Sequence, residues 1–321
     1  MHAIVTGGAG FIGSHVTERL LVDGHRATVI DNFSTGDPRF LESSKGNADL
    51  DVIDLDLYKD PDRLPEIIAG AEVVFHLSAN ADVRFGWDAP YRDLQQNVLA
   101  THNLLEAMRL TGVGRMVFSS TGSVYGDATQ IPTREDAPFP TQTSLYGASK
   151  LGAEGLIQAY TEGTGMVATI FRFVSILGPR YTHGHIVDFM HKLRQDPDRL
   201  EILGDGNQRK SYLDVTDCIE ALMTRVEVDE GCEVFNLGTD SHCTVTESAG
   251  WICERLGVQP ILEYTGGSRG WIGDNPYIHL DTSKIRATGW RPRFTIREGV
   301  ERTVDYLIDN PWILDSHASG T

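Results

Sequence analysis

A short apolar run, Ala3-Ile4-Val5, leads directly into Thr6-Gly7-Gly8-Ala9-Gly10-Phe11-Ile12-Gly13, and an amphipathic stretch from Ser14 to Asp23 follows. Strand, glycine turn and helix in that order form the first part of a dinucleotide-binding βαβ unit. Gly7, Gly10 and Gly13 divide the physical work. One makes the tight turn, one lets backbone approach a pyrophosphate, and one lets the helix pack closely on the strand. The helix N-terminus offers N–H groups and a partial positive charge to the anion. Phe11 and Ile12, between the glycines, are counted with them as cofactor-binding candidates.

The next strand, Ala27-Thr28-Val29-Ile30, ends in Asp31. That is within the interval of ~20 residues at which a ribose-binding acid follows the glycines. A carboxylate there accepts hydrogen bonds from the adenosine ribose and repels a 2′-phosphate, so NAD is expected and NADP is not. Asp31-Asn32 is also good turn chemistry. Glycines and acid within one βαβ unit favour the ribose reading. Asn32, Ser34, Thr35 and Gly36 complete this group of cofactor candidates.

With 321 residues the chain exceeds the size at which a single core keeps growing, so two lobes are expected. A formal net charge of −17 argues against a nucleic-acid partner held through its phosphates. No apolar run approaches the length that spans a bilayer. The first strand starts almost at once, so neither a membrane anchor nor a cleaved leader is expected. Cys218, Cys232, Cys243 and Cys253 form no CxxC pair and read as reduced thiols of a cytoplasmic protein.

Short β-rich runs fall at His2–Thr6, Ala27–Asp31, Leu50–Asp54, Val73–Leu77, Arg115–Ser119 and Val167–Phe173. Helical patterns alternate with them, the longest over Asp88–Arg109 and Tyr146–Gly163. The alternation predicts an α/β fold, a Rossmann-type doubly wound parallel sheet covered by helices. Beyond residue 175 turns and aromatics multiply, which predicts a smaller α/β substrate-binding lobe. The expected division is an NAD-binding domain over 1–174 and a discontinuous substrate-binding lobe over 175–321. Residues 210–240, Val234–Gly238 in particular, are expected to return to the first domain. The polar tail after Leu314 is expected to fray.

Tyr146 and Lys150, four apart in Tyr-Gly-Ala-Ser-Lys, share one face of a helix. A phenol with its ordinary pKa of ~10 is a poor base at neutral pH. An ammonium beside it, and the positive ring of a nicotinamide, favour the phenolate. Tyr-x-x-x-Lys alone is a common accident. Here, however, the strand Val117-Phe118 runs out into Ser119-Ser120-Thr121-Gly122-Ser123. In open α/β sheets the ligand sits beyond the carboxyl ends of the strands. Thr121 is thus placed to hydrogen-bond a reacting oxygen and relay its proton. Thr121, Tyr146 and Lys150 are the catalytic candidates. Ser119 is counted with the cofactor, and Ser120, Gly122 and Ser123 with the substrate.

Further pieces extend along the chain: Asp54-Leu55, Phe75-His76-Leu77-Ser78-Ala79, Phe171-Arg172 with Gly178-Pro179-Arg180, Gly204-Asp205-Gly206, Arg269 to Asp274, and Asp281 to Ile285. Together with the earlier motifs they make the chain resemble the extended short-chain dehydrogenase/reductase family, in particular its nucleotide-sugar epimerases and dehydratases. The resemblance implies that Asp54 and Leu55 contact adenine, that Leu77 and Ala79 line the cofactor, and that Lys150 also holds the nicotinamide ribose. It implies a diphosphate grip from Lys210 and Arg269, and a place near the substrate for Asn97, unless that residue is only a satisfied polar group of its helix. It also implies a homodimer in which the two long helices pair into a four-helix bundle.

The residues after Thr121 narrow the reaction. By the same resemblance, 4,6-dehydratases carry Asp-Glu there, while Glu or Cys at the second position marks decarboxylases and epimerase-reductases. This chain has Gly122 and Ser123. Elimination needs a positioned base, and none is present beyond Tyr146. What remains supports oxidation at the sugar C4, rotation of the 4-keto intermediate and hydride return to the other face. The expected activity is an NAD-dependent 4-epimerase of a nucleotide-diphosphate sugar, a UDP-sugar foremost. Ser175 stands where relatives carry Asn, and with Arg180 nearby it leaves room for a carboxylate on C6, as in UDP-glucuronate in place of UDP-glucose. The alternatives are a dehydratase, reductase or epimerase acting at another carbon, or a non-catalytic NAD-binding regulator. His183 and His185 lack a third ligand at metal spacing and read as loop residues of the substrate lobe, so no metal is expected.

Overall fold

The computed structural model describes residues 1–80, 87–139, 141–224, 230–270, 275 and 277–318, with only the backbone of 316–318. The runs read as strands form β1 (His2–Thr6), β2 (Arg26–Asp31), β3 (Leu50–Asp54), β4 (Val73–His76), β5 (Arg115–Thr121) and β6 (Val167–Phe173). Shorter strands follow: β7 (Ser175–Leu177), β8 (Arg199–Ile202), β9 (Arg209–Lys210) and β10 (Tyr212–Asp214). Then come β11 (Cys232–Leu237), β12 (Cys243–Thr244), β13 (Ile261–Tyr264) and β14 (Tyr277–Ile278). The helices are α1 (Phe11–Val22), α2 (Leu64–Ile68), α3 (Pro90–Asp93), α4 (Ala100–Thr111), α5 (Leu145–Thr164) and α6 (His185–Gln195). They continue with α7 (Val215–Thr224), α8 (Val245–Leu256), α9 (Ser283–Ala287), α10 (Ile296–Asp309) and α11 (Trp312–Ala318).

One parallel sheet runs in the order β11-β6-β5-β4-β1-β2-β3. Its edge strand β11 pairs with β6 along its length, so the chain returns to the sheet after β7–β10, α6 and α7. Side chains alternate across the sheet, as the period of a strand requires. Ala3, Val5, Val29, Phe75, Val117, Phe171 and Phe235 join one buried cluster with Val16 and Leu20 of α1 and Leu222 of α7. Ile4, Ile30, Val74, Met116, Phe118 and Ile170 join another with Leu64 of α2, Leu104 of α4 and Ile157 of α5. Each fully buried side chain of this size contributes about 1.5–3 kcal/mol.

A third cluster, with Met190, Ile202, Ile252, Val300 and Leu307, joins α6, α8 and α10. Its helices α8 and α10 begin with capping boxes, Thr244 with Glu247 and Thr295 with Glu298. Each such cap contributes about 1 kcal/mol.

Two expectations change. The helix read over Asp88–Arg109 is α3, a π-helical stretch Leu94–Leu99, and α4. A wide turn of this kind recurs at functional sites. Here it accompanies the buried Asn97, whose Nδ2 donates to Ser149 Oγ at 2.9 Å and whose Oδ1 accepts the Asn80 N–H at 2.9 Å. The tail after Leu314 continues as α11, because Ile313 and Leu314 are buried in the third cluster. No described helix is long and apolar enough to cross a membrane.

Candidate active site

The winding of the sheet reverses between β1 and β4, which opens a crevice at their carboxyl ends. Gly7 follows β1 with φ +68°, and a Cβ on it would lie 2.8 Å from the Ser78 nitrogen. A Cβ on Gly13 would stand 2.0 Å from the Gly7 carbonyl oxygen, so only glycine lets α1 start this close to the turn. No side chain caps α1 after Gly10. The first N–H groups of a helix, here those of Phe11, Ile12 and Gly13, have no partner within it.

Asp31 is buried at the end of β2. Its carboxylate accepts the Ala9 and Phe33 N–H groups, both at 2.9 Å. Burial pushes this carboxyl upward, while the two N–H bonds pull it back. Phe33 adopts φ +52°, a region sparsely populated by residues other than glycine. A Cβ on Gly36 would come within 2.9 Å of both Asp31 oxygens. Asn32 organises the turn between, accepting the Ser34 N–H at 3.1 Å and donating to Asp56 at 3.0 Å. Thr35 is exposed there. Uncapped N–H groups, an anchored acid and glycines where side chains would fill the space fit a dinucleotide.

Leu77 and Ala79 leave β4 half-buried, and Asp54 ends β3 exposed. Leu55, expected against adenine, instead packs its side chain in the sheet core. Its N–H donates to the Asp31 carbonyl at 3.0 Å, so it holds the end of β2 in place.

Tyr146 lies in the first turn of α5, which Ser144 caps by accepting the Gly147 N–H at 3.0 Å. A Cβ on Gly147 would lie 2.7 Å from the Ser123 carbonyl, so this turn presses directly on the Gly122–Tyr125 turn after β5. The Tyr146 phenol faces the Thr121 side chain, which pulls the phenol's pKa downward. Thr121 also accepts the Ser123 N–H at 3.1 Å and donates to the Ser123 hydroxyl at 3.2 Å. One helical turn on, the buried Lys150 donates from Nζ to the Ser119 carbonyl at 2.9 Å and lies 4.6 Å from the Phe118 ring centre.

Burial, and then the charge of Asp93, push the phenol up to about 12, against the pull of Thr121. Burial lowers the Lys150 ammonium to about 7, against the pull of Glu154. The Tyr-Lys spacing predicts a phenol lowered by its lysine, and the chain's own groups do the opposite. Lys150 is fully buried and Tyr146 half-buried, and loss of water favours the neutral form of each. On these groups alone the proton rests on Tyr146.

The remaining sequence-predicted residues divide. Gly122 lies under Ile278 and Leu280, which a Cβ would meet at 3.4 Å. Ser175 opens β7 with its side chain exposed. Lys210 donates from Nζ to the Asn275 carbonyl, and its strand β9 lies between β12 and β14. Arg269 pairs with Asp127, beyond the end of β5, at 3.0 Å. Trp271 and Asp274 lie outside the described residues.

Ser120 is not a crevice residue: it is 3% exposed, and its hydroxyl donates to Glu154. The reason is strand alternation, which turns it away from Thr121. Arg180 also departs from its expected place. It adopts φ +68°, and its Nη2 donates to Glu18 of α1 at 2.7 Å. His185 opens α6 instead of lying in a loop, half-buried with Nε2 2.7 Å from Ser248 Oγ, and His183 stacks on Tyr181.

Two residues beside the cluster went unread in the sequence. Asp93 ends α3 and acts on Tyr146 through space, and no local spacing signals that. Glu154 does carry a signal, since it continues the four-residue step from Tyr146 and Lys150.

The model of the NAD dependent epimerase/dehydratase family matches residues 3–238. The UDP-glucose 4-epimerase of Mycolicibacterium smegmatis is 32% identical over 314 residues, covering 96% of this chain and 98% of its own. The crystal structure of a UDP-galactose 4-epimerase has a TM-score of 0.86 at 37% identity, covering 97% of this chain and 100% of its own. That of UDP-glucuronic acid 4-epimerase from Bacillus cereus, in complex with UDP-glucuronic acid and NAD, has a TM-score of 0.88 at 26% identity over the same shares.

Proposed function

The chain belongs to the NAD dependent epimerase/dehydratase family, and from that premise we propose that it is an isomerase, an NAD-dependent 4-epimerase of a UDP-sugar. The observation that carries this reading is the contact of Tyr146 with Thr121 at the mouth of the crevice, with no carboxylate at 122 or 123. NAD, when bound, supplies a reversible hydride acceptor and a positive ring. Gly7, Gly10, Gly13, the first N–H groups of α1 and Asp31 would hold it, with Lys150 at its nicotinamide end.

The chain's own residues handle the proton. Thr121 orients the C4 hydroxyl and Tyr146 Oη takes its proton, then returns one to the same oxygen after the 4-keto sugar has turned its other face. Lys150, held on the Ser119 carbonyl, supplies the charge that favours the phenolate. Lys210 and Arg269, each extended from the second lobe, would grip the diphosphate. They come from the proposed discontinuous lobe over 175–321, facing the proposed NAD-binding domain over 1–174.

The exposed hydroxyl of Ser175 favours a second reading for C6, a carboxylate, so that UDP-glucuronate is the substrate. Four buried or half-buried free thiols support a cytoplasmic location. Exposed Tyr91, Leu94 and Leu110 along the first long helix support the homodimer.

The test is proton NMR of the full chain with UDP-glucose and, separately, UDP-glucuronate. Interconversion of one pair of C4 epimers without net NADH is the expected result. Accumulation of NADH, or no conversion of either sugar, would overturn the proposal.

A further inference from the structure

We infer that Glu154 is a positioning residue of this site: clamped by Arg172, it pins the end of β5 against α5 and sets a negative charge one helical turn beyond Lys150. The inference rests on the proposed function for its kinetic part only. The face of α5 that carries Tyr146 and Lys150 carries Glu154 at the next step of four. Each of the three meets a different residue at the end of β5. Tyr146 meets the Thr121 side chain, Lys150 the Ser119 carbonyl at 2.9 Å, and Glu154 the Ser120 hydroxyl. Strand and catalytic helix are thus fastened at three consecutive strand positions, and Thr121 is the last of them.

The clamp is buried throughout. Glu154 and Arg172 side chains are 1% and 3% exposed, and Nη2 donates to Oε2 at 2.7 Å. Arg172 Nε adds bonds of 3.1 and 3.2 Å to the two oxygens. Its Nη1 donates to the Tyr125 hydroxyl at 2.7 Å and to the Glu135 carbonyl at 3.1 Å. Tyr125 in turn donates to Asn236 Oδ1 at 2.8 Å, and Asn236 Nδ2 donates to the Thr133 and Asp281 carbonyls at 2.9 and 3.1 Å. An ion pair this deep adds little stability over a well-packed apolar pair. What it supplies here is a fixed geometry between the catalytic helix, β5 and the segment leading out of β14.

The charge reaches Lys150 as well as its own partner Arg172 and the nearby Tyr125 and Cys232. The titratable groups that act with Lys150 are Glu154 on its own helix and His76 of β4, which burial pushes down to about 3 and so keeps neutral. Asp93 of α3 faces Tyr146, and Arg172 of β6 backs Glu154. Glu154 is therefore the anion that opposes the burial of Lys150.

The experiment uses the full chain labelled with 13Cε-lysine, Lys150→Met identifying the signal, beside steady-state kinetics. Glu154→Gln keeps the shape and removes the charge, and Glu154→Asp keeps the charge and shortens the reach. In Glu154→Gln the Lys150 midpoint falls by about half a unit or more, and kcat drops about tenfold or more with KM within about twofold. In Glu154→Asp kcat also drops and the midpoint stays. A midpoint in Glu154→Gln equal to wild type, or kcat unchanged in both variants, overturns the inference. Should Glu154→Gln fail to fold, Ser120→Ala carries the test, since it keeps both charges. It loses about threefold or more in kcat with the midpoint unmoved, and an unchanged kcat overturns the inference. The titration needs no sugar, so a wild type that epimerises nothing defeats the proposed function and leaves the titration standing.

Discussion

The proposed cofactor wall of the crevice is built from backbone, and the proposed substrate wall from long side chains. On the first, Gly7, Gly13 and Gly36 clear space, α1 presents N–H groups, and Asp31 is anchored by two N–H bonds. On the second, Lys210 and Arg269 come from segments far from β5 and lean on Asn275 and Asp127. A wall of backbone takes its shape from residues a few positions apart. A wall of side chains takes it from pairings between distant segments. Between the walls, Tyr146 and Lys150 combine both styles, with local spacing setting their face and remote packing setting their protonation.

The largest effect comes at that junction. Tyr146→Phe is expected to lower kcat by about 10²–10⁴-fold, with NAD affinity by titration calorimetry unchanged. A comparable loss of NAD affinity would show that the junction belongs to the cofactor wall. Next is the backbone wall itself. Gly13→Val drives a side chain into the Gly7 carbonyl, 2.0 Å from the first new atom, and overpacking of this kind costs about 1–3 kcal/mol. A fall in urea midpoint with loss of NAD binding is expected, and retained NAD binding would break the account of that wall.

Acid probes two places in the molecule at once. His76 in the sheet is held at about 3 by burial, and His185 in α6 at about 4 by burial, against an unfolded value of 6.5. These folded values are depressed, so the unfolded chain takes up protons first. Their stabilisation is complete above about pH 6.5 and is lost as pH falls toward 4 and then 3. Unfolding free energies from urea titrations at pH 7 and pH 5 should differ by about 2 kcal/mol for each such histidine, and His185→Gln should narrow the gap. An equal gap would place the acid sensitivity elsewhere. The smallest effect belongs to the side-chain wall. Lys210→Ala should raise KM for the nucleotide sugar about tenfold with kcat and NAD affinity nearly unchanged. A drop in kcat instead would mean that β9 acts on the chemistry.

Much of the proposed cofactor wall reads from neighbours in the chain. The glycine spacing and Asp31 need only a strand, a turn and a helix to acquire the roles proposed for them, and β1 to β6 fall close to where alternating apolar runs place them. Leu55 misled because an apolar residue at a strand end can face the crevice or the core, and only the packed sheet chooses. Ser120 misled because it sits among hydroxyls that do face the crevice. Arg180 misled because its positive φ turns the chain after Gly178-Pro179 toward α1. The π-helical stretch over Leu94–Leu99 has the same apolar content as an ordinary helix, so periodicity does not reveal it.

Local spacing in the chain determined the order of strands and helices, the glycine turn after β1, and which phenol and which amine share a helix face. Those features depend on contacts between residues close in sequence, where backbone geometry leaves few choices. Only the folded molecule decided that Asp93 stands by Tyr146, that Glu154 is locked to Arg172 and Ser120, and that burial presses both Tyr146 and Lys150 toward neutrality. Desolvation and buried ion pairing are set by whatever surrounds a group in space, and in this chain those surroundings come from β4, β5, β6, α3 and α5 together.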